Sequence, residues 1–340
     1  MTFSDSCVGY PAQEACIMFN LAPAIPARSD LEWCWYLRRH GRAGDALERV
    51  LHDIGVMDPG GWAQWQPSTL TDTGSPIAVV FSTGDDALAL TTEVEDPKND
   101  PATRFARVCE IIKMIGGNAP STAFRDVISA AQGSADLEYG ARLGLRHDGK
   151  KLHTVLYAEI PEAASDLSAL VAETPFTPIL QDYGPSARAT MVAYDTQTKR
   201  MTIHCEADNV KRTILPALCL PAQVSPDVLS MSIDGMTDGP PRIDLPTSKL
   251  GFSYTIDDNG NLPVLALSFN SKELFKDDYT IEKRVRACGG NKLPTYTSLI
   301  EHLPVAPVGT THHGNFTMTA RQNAAPTLSI NVAAPWITGE

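Results

Sequence analysis

The sequence predicts an α+β fold: a ten-stranded antiparallel β-barrel of five strand-strand-helix repeats, with the helices outside. Three observations carry this. Five pairs of short, β-branched apolar runs are each joined by a turn rich in Asp, Asn or Gly, the mark of hairpins. Helical spacing or helix-length sequence separates successive pairs. Ten strands in one chain need closure, which removes edge strands and leaves the outer wall for helices to cover.

The first repeat is the most legible. GSPIAVVF from Gly74 suits a strand, Ser82 to Asp86 a turn, and Ala87 to Glu95 the partner strand. From Asp100 the period changes, and Phe105, Val108, Cys109, Ile112 and Met114 mark a helical face that ends at Gly116-Gly117. The second hairpin runs Arg142–His147 and Leu152–Ile160 around Asp148-Gly149, followed by a helix from about Glu162. The third runs Ala189–Tyr194 and Arg200–Glu206 around Asp195–Thr198, followed by Val210–Leu218. The fourth runs Phe252–Ile256 and Val264–Phe269 around Asp258-Asn259-Gly260, then a helix near Tyr279–Cys288. Asn315–Ala320 and Thr327–Ala333 form the fifth around Asn323-Ala324. The repeat is one of pattern, with negligible identity between units.

Residues 1–65 read as an N-terminal helical segment packing on the barrel, and 66–340 as the five repeats, so 1–340 is read as a single domain. Ala15–Leu21 is mostly apolar, and Leu31–Arg42 and Asp45–Ile54 have helical spacing. Trp33 either lines a ligand chamber or, with Tyr36, packs a helix onto the wall. Phe124–Ala131 suits a short helix, Glu173–Pro185 a loop, and Pro221–Pro246, rich in Gly and Pro, a surface excursion.

The 340 residues carry a net charge of −12, which argues against a nucleic-acid partner. No apolar run approaches the ~20 residues of a membrane helix. The N-terminus MTFSDSCVGY lacks the basic flank and apolar core of a secretory signal, so a cytoplasmic protein is expected. The seven cysteines are odd in number, scattered and without a CxxC, as expected of reduced core thiols. Phosphate-loop, dinucleotide, nucleophile-elbow and zinc-protease motifs are missing. The eight histidines are not at zinc spacings with cysteines, so no metal is expected. His312-His313 reads as a solvated loop entering the last hairpin. Asp85-Asp86 and Asp257-Asp258 read as turn residues whose carboxylates bond the backbone.

At this point the chain resembles the aromatic prenyltransferases called ABBA or PT-barrel enzymes, in their indole-specific, dimethylallyltryptophan synthase-like branch. The segment GSPIAVVFSTGDDALALTTEVEDPKNDPATRFARV is similar to that family's opening hairpin. Tyr157 with Pro161, the strand MVAYD ending at Asp195, and HHGNFT at His312–Thr317 resemble later repeats, and the likeness covers about residues 70–335. It implies prenyl transfer from an allyl diphosphate to an aromatic, indole-type substrate, in specialised metabolism. No tightly bound cofactor is implied, and the allyl diphosphate is a co-substrate.

The departures fall on the functional positions. Ala78 stands where the family's first strand has a glutamate, and Ala89 is nearest to its arginine. Val155-Leu156-Tyr157 and Thr202-Ile203-His204 replace Lys-x-Tyr, and Met318 is nearest to the last tyrosine. An allyl diphosphate carries about three negative charges and needs several cations or a metal. Ala89, Val155, Thr202 and Val264 supply none. Arg142, Lys151 and Arg200 are the replacements if a diphosphate is bound, with Arg142 and Arg146 otherwise solvated wall residues. Tyr157, Thr202, Ala78, Val155, Met318 and Trp33 are the candidates for substrate contact. His204, Glu206 and His153, on inward faces by alternation, are the candidate proton-handling groups. Three readings follow: an aromatic prenyltransferase; a diverged barrel that cyclises, isomerises or rearranges an aromatic natural product without a diphosphate; and a non-catalytic binder of a hydrophobic aromatic compound. A monomer and a homodimer are both open.

Overall fold

The structure is a computed structural model that describes residues 33–57, 65, 67–133, 135–162, 164, 187–238, 243–257 and 259–335. Ten strands form a closed barrel in which each pairs antiparallel with its sequence neighbours and β1 closes on β10. The hairpins are β1–β2 (Ile77–Ser82, Asp85–Thr92), β3–β4 (Ala141–His147, Leu152–Glu159), β5–β6 (Arg188–Asp195, Met201–Asp208), β7–β8 (Lys249–Ile256, Val264–Asn270) and β9–β10 (His313–Arg321, Thr327–Ala333). All five hairpins lie where the sequence predicts them.

Aspartates make the turns. Asp148 Oδ1 accepts from the backbone N–H of Lys150 and Lys151, both at 2.8 Å. Asp195 Oδ1 does the same for Gln197 and Thr198, and Asp257 Oδ1 for Asn259 and Asn261. A carboxylate that stands in for the next backbone acceptor fixes each reversal locally.

The helices are α1 (Trp33–Arg38), α2 (Arg42–Asp53), α3 (Pro101–Met114), α4 (Thr122–Gln132), α5 (Leu215–Cys219), α6 (Pro226–Thr237), α7 (Ser271–Phe275), α8 (Asp278–Gly289) and α9 (Pro294–Ile300). Their starts follow capping chemistry: Asp100, Ser121, Ser225, Asn270 and Asp277 each accept a backbone N–H of the first turn. Helix α6 corrects the expected excursion over Pro221–Pro246. Ser225-Pro226 caps it, and Leu229, Ile233 and Met236 bury one face. Gly235 and the flanking prolines hid that period. Val210 precedes the helical turn rather than joining it, since helix begins at Arg212. The expectations for Ala15–Leu21, the helix from Glu162 and the loop from Glu173 fall outside the described residues.

Alternation along the strands builds two environments. The outward positions, such as Val79, Leu90, Leu145, Leu156, Ile203, Leu267 and Phe316, are completely buried beneath the helices. The inward positions between them, such as Val80, Ala89, Val155, Thr202, Ala266 and Thr317, keep accessible surface. The apolar core is therefore a shell between barrel and helices, and the barrel's interior is an open chamber. Cys109, Cys205 and Cys219 are free thiols in buried positions, and burial pushes the Cys219 thiol up to about 11. Among the described residues no helix is long and apolar enough to cross a membrane.

Candidate functional site

Register fixes what faces the chamber. Ala78 lies opposite Thr91 on β2 and Ala333 on β10; Val155 lies opposite Gly144 and Asp195; Thr202 lies opposite Ala193 and Thr255. The structure thus places Ala78, Val155 and Thr202 on the inner wall, with Ala89 and Val264 on the same face. Met318 is a correction. It pairs with Leu267 and Leu328 on the outer face and is completely buried in the shell, and Thr317 and Thr319 take the inward positions on β9. A one-residue offset in register reverses the face of a strand residue. Trp33 opens α1, and its side chain is outside the described residues.

Tyr157 and His204 meet on the inner wall, with Arg142 the cross-strand neighbour of Tyr157. Their rings approach edge to face, with centroids 6.4 Å apart. Tyr157 occupies space left by Gly144, where a Cβ would come within 2.7 Å of its ring. Burial raises the Tyr157 pKa, the Asp195 charge adds to this, and a hydrogen bond with Thr91 opposes it. The phenol therefore stays protonated. Burial lowers the His204 pKa to about 4, so the imidazole is neutral at neutral pH. Its Nε2 is buried without a hydrogen-bond partner. Ser253, the cross-strand neighbour of His204, faces the same space.

The other expected proton-handling groups do not join this pair. Glu206 shares the inward face of β6, about 7 Å along the strand, and is ion-paired with Lys249 at 3.2 Å. His153 faces inward near the hairpin turns, where its Nε2 lies 3.2 Å from Asp148. The proposed replacement cations are also separated. Arg142 pairs with Tyr157 near the end of β4, whereas Lys151 precedes β4, about 20 Å away along the strand. Lys151 and Arg200 are exposed beside the turns at that far end.

Charge is gathered at the two ends of the chamber. Glu93, just after β2 and 1% exposed, receives Arg142 Nε at 3.0 Å, Ser68 Oγ at 2.5 Å and Arg104 Nη1 at 3.5 Å. Arg142 is half-buried rather than solvated: it donates to Thr69 Oγ1 at 2.8 Å and lies 4.0 Å over the Tyr139 ring. Arg188 is 3.6 Å from Glu162, and at the opposite end Arg146 is 2.6 Å from Asp85. Sequence reasoning missed Glu93. Its partners stand 11, 25 and 49 residues away, so no local spacing announces them.

His312-His313 is a further correction. Both rings are buried at the start of β9. His313 Nδ1 bonds Asp278 at 2.6 Å and its Nε2 bonds the Tyr296 hydroxyl at 2.7 Å. Asp278 also accepts the backbone N–H of His312 at 3.0 Å. Burial pushes the Asp278 carboxyl up, and these hydrogen bonds outweigh it, so its pKa is lowered. The pair locks β9 to α8 and α9. Beside it, Thr69, Thr71, Ala78, Asn270, Asn315 and Asn331 help line a cavity of about 430 Å³ at the chamber's turn-free end.

No protein-family model and no curated protein matches the sequence. Solved structures do. The chain is similar to 6-dimethylallyltryptophan synthase from Micromonospora olivasterospora in complex with DMASPP and Trp, at 14% identity and TM-score 0.69 over 92% of this chain and 98% of that one. It is similar to 5-dimethylallyl tryptophan synthase from Streptomyces coelicolor, also in complex with DMASPP and Trp, at 12% identity and TM-score 0.66 over 90% and 94%. AnaPT from Neosartorya fischeri matches at 10% identity and TM-score 0.65 over 91% and 93%. With a closed barrel of ten antiparallel strands wrapped in helices and these neighbours, the chain has the PT-barrel, or ABBA, fold of the aromatic prenyltransferases.

Proposed function

We propose that the chain is a PT-barrel enzyme that cyclises, isomerises or rearranges an aromatic, indole-type small molecule without an allyl diphosphate. The observation that carries this reading is the neutral middle of the chamber. Its inner wall around Tyr157 and His204 is built mainly of Ala, Val, Gly, Met, Ser and Thr, and the charges across the strands there, Arg142 and Asp195, are already bound, by Glu93 and by backbone N–H groups. Outside the described residues, the sequence adds only Arg28 and Arg242 as cations. Burying a diphosphate needs several cations at one place.

The middle suits proton transfer instead. An aromatic ring that has formed a new bond, or lost its aromaticity in a shift, carries a strongly acidic ring proton. A weak base is enough to remove it, and neutral His204 offers Nε2 for that proton. Tyr157 keeps its proton and can donate a hydrogen bond to a carbonyl or hydroxyl oxygen that gains charge. The walls hold the flat substrate and limit water, so orientation supplies much of the rate. Glu206 and His153, each already paired with a charge, take positioning roles at the ends. No tightly bound cofactor enters this scheme.

A second reading, prenyl transfer, is supported by the fold and by the inner-face Arg142, Arg146, Arg188, Lys249 and Arg321. It requires Arg142, Arg146, Arg188 and Lys249 to exchange their carboxylate partners for a diphosphate. Mass spectrometry of incubations with indole-type precursors, with and without dimethylallyl diphosphate, separates the two. The proposal expects a product of unchanged mass, or one lighter by water, formed without the diphosphate. A product heavier by one prenyl unit and dependent on it would establish the second reading.

A further inference from the structure

The chamber wall has two arcs of different chemistry. From β1 to β5 its inward positions include Val80, Ala89, Gly144, Val155, Met191 and Ala193, with the hydroxyl of Thr91 bonded to Tyr157. From β6 to β10 most of the inward positions carry hydroxyls and an amide, among them Thr202, Ser253, Ser268, Thr319, Ser329 and Asn331, with Ala266 and Val264 between them. Part of this arc satisfies itself: Thr202 bonds Thr255 at 2.9 Å and Ser268 bonds Thr317 at 2.7 Å. Ser253, Thr319, Ser329 and Asn331 have no side-chain partner among the described residues.

Ser253 is the telling member. It is 7% exposed, and buried hydroxyls are almost always hydrogen-bonded. Directly across the strand pair is His204, whose buried Nε2 is also unpartnered. Two adjacent unmet groups on one inward face mark a place where a ligand meets both, with an oxygen at Ser253 and its reacting ring at His204. Toward the turn-free end, Asn331 joins Asn315, Asn270, Thr69 and Thr71 around the cavity of about 430 Å³, which the ion pair Asp72–Lys272 also lines, so uncharged polar groups continue beyond the middle beside one self-neutralised pair.

We infer that the β6–β10 arc recognises a neutral, oxygen-rich part of the substrate, a hydroxyl- or carbonyl-bearing portion joined to the aromatic ring. This rests on the proposed reading of the chamber as an aromatic-substrate site. Ser253 grips one oxygen beside His204, and Ser329 and Asn331 take others toward the mouth. Hydroxyl and carboxamide groups both donate and accept and carry no net charge. They match alcohols, carbonyls and amides, and they do not neutralise a phosphate. An unsubstituted hydrocarbon arm would leave them unmet. The aromatic ring itself lies against the Tyr157 arc.

Calorimetry with four small probes that share an aromatic ring tests this: phenyl β-glucoside, N-acetylphenylalaninamide, indole and phenyl phosphate. The glucoside or the amide should bind about tenfold or more tightly than indole and phenyl phosphate, and which of the two is tighter separates hydroxyl from amide recognition. Ser329→Ala and Thr319→Val should each weaken the preferred probe by about 3- to 10-fold while leaving indole binding unchanged. Asn331→Ala, at the accessible mouth, supplies the same comparison should either variant fail to fold. Indole or phenyl phosphate binding as tightly as the neutral polar probes, variants without effect, or no binding by any probe would overturn the inference. The binding order needs no turnover, so a chamber that prefers the neutral polar probes yet prenylates its substrate would sink the proposed reaction alone.

Discussion

The middle of the chamber and its two ends are built by the same strands and do opposite things with charge. At the ends, Arg142, Arg146, Arg188 and Lys249 each face a carboxylate. Between them the titratable pair is a neutral imidazole beside a protonated phenol, and the inner-face charges next to that pair, Arg142 and Asp195, are already bound by Glu93 and by backbone N–H groups. Ion pairs at the rims tie adjacent segments together, whereas a neutral middle favours a neutral, flat ligand over a polyanion. An Arg or Lys at an inner-face position does not by itself make a diphosphate site. What matters is whether the protein already supplies the counter-charge.

The largest expected effect tests the better-buried end. Glu93→Gln leaves Arg104, 2% exposed, without its counter-charge, and should cost about 3–5 kcal/mol of folding stability. Urea denaturation measures it. A loss below about 1 kcal/mol would mean that the arginines do not depend on Glu93 and are available to a substrate, which breaks the comparison at that end.

The next effect concerns the middle. His204→Asn should lower turnover by about 10²- to 10⁴-fold with the fold intact. Because burial lowers the His204 pKa to about 4, turnover should be flat from neutral pH down to about 5 and fall through about 4. The linked stability has the same sign. The unfolded imidazole titrates at about 6.5, so the unfolded state binds more protons between the two values. The stability this group contributes is fully present above about 6.5 and is lost as pH falls through about 4. An inflection in turnover near 6.5 would remove His204 as the base.

Gly144→Ala sharpens the same region more gently. Its new methyl group would meet the Tyr157 ring at 2.7 Å and Val155 Cβ at 3.2 Å, costing about 1–3 kcal/mol unless the ring shifts. Aromatic probes should bind more weakly while the barrel stays folded; unchanged affinity would remove Tyr157 from the binding surface. Arg146→Gln should do least. Its pair with Asp85 is more than a third exposed on both sides and is worth less than about 1 kcal/mol. A tenfold loss of turnover in that variant would make an end cation part of the chemistry.

Much of the barrel was legible because its signals are local. Strand alternation, Asp-led reversals at Asp148, Asp195 and Asp257, and capping at Asp100 and Asp277 all act within a few residues. The family resemblance put Ala78, Val155 and Thr202 on the inner wall, and alternation from them added His204. Met318 failed because the nearest match in sequence differed by one position from the inward one. Helix α6 failed because Gly235 and the surrounding prolines outweighed the Ser225-Pro226 start signal. The contacts that decide the charge balance were illegible for another reason. Glu93 with Arg142, and His313 with Asp278, are separated by 49 and 35 residues, and only barrel closure and helix packing bring them together. Ser253 carried no signal either, since a serine on a strand becomes informative only when His204 is seen across the ladder.

The central claim is that this chamber does not take an allyl diphosphate. Titration calorimetry of the full chain with dimethylallyl diphosphate, run with and without magnesium, measures that directly. No binding in the micromolar range under either condition is the predicted result, as each missing charge-assisted hydrogen bond removes about 1.5–3 kcal/mol. Micromolar binding by the unaltered protein would contradict the account and return the chamber to prenyl transfer.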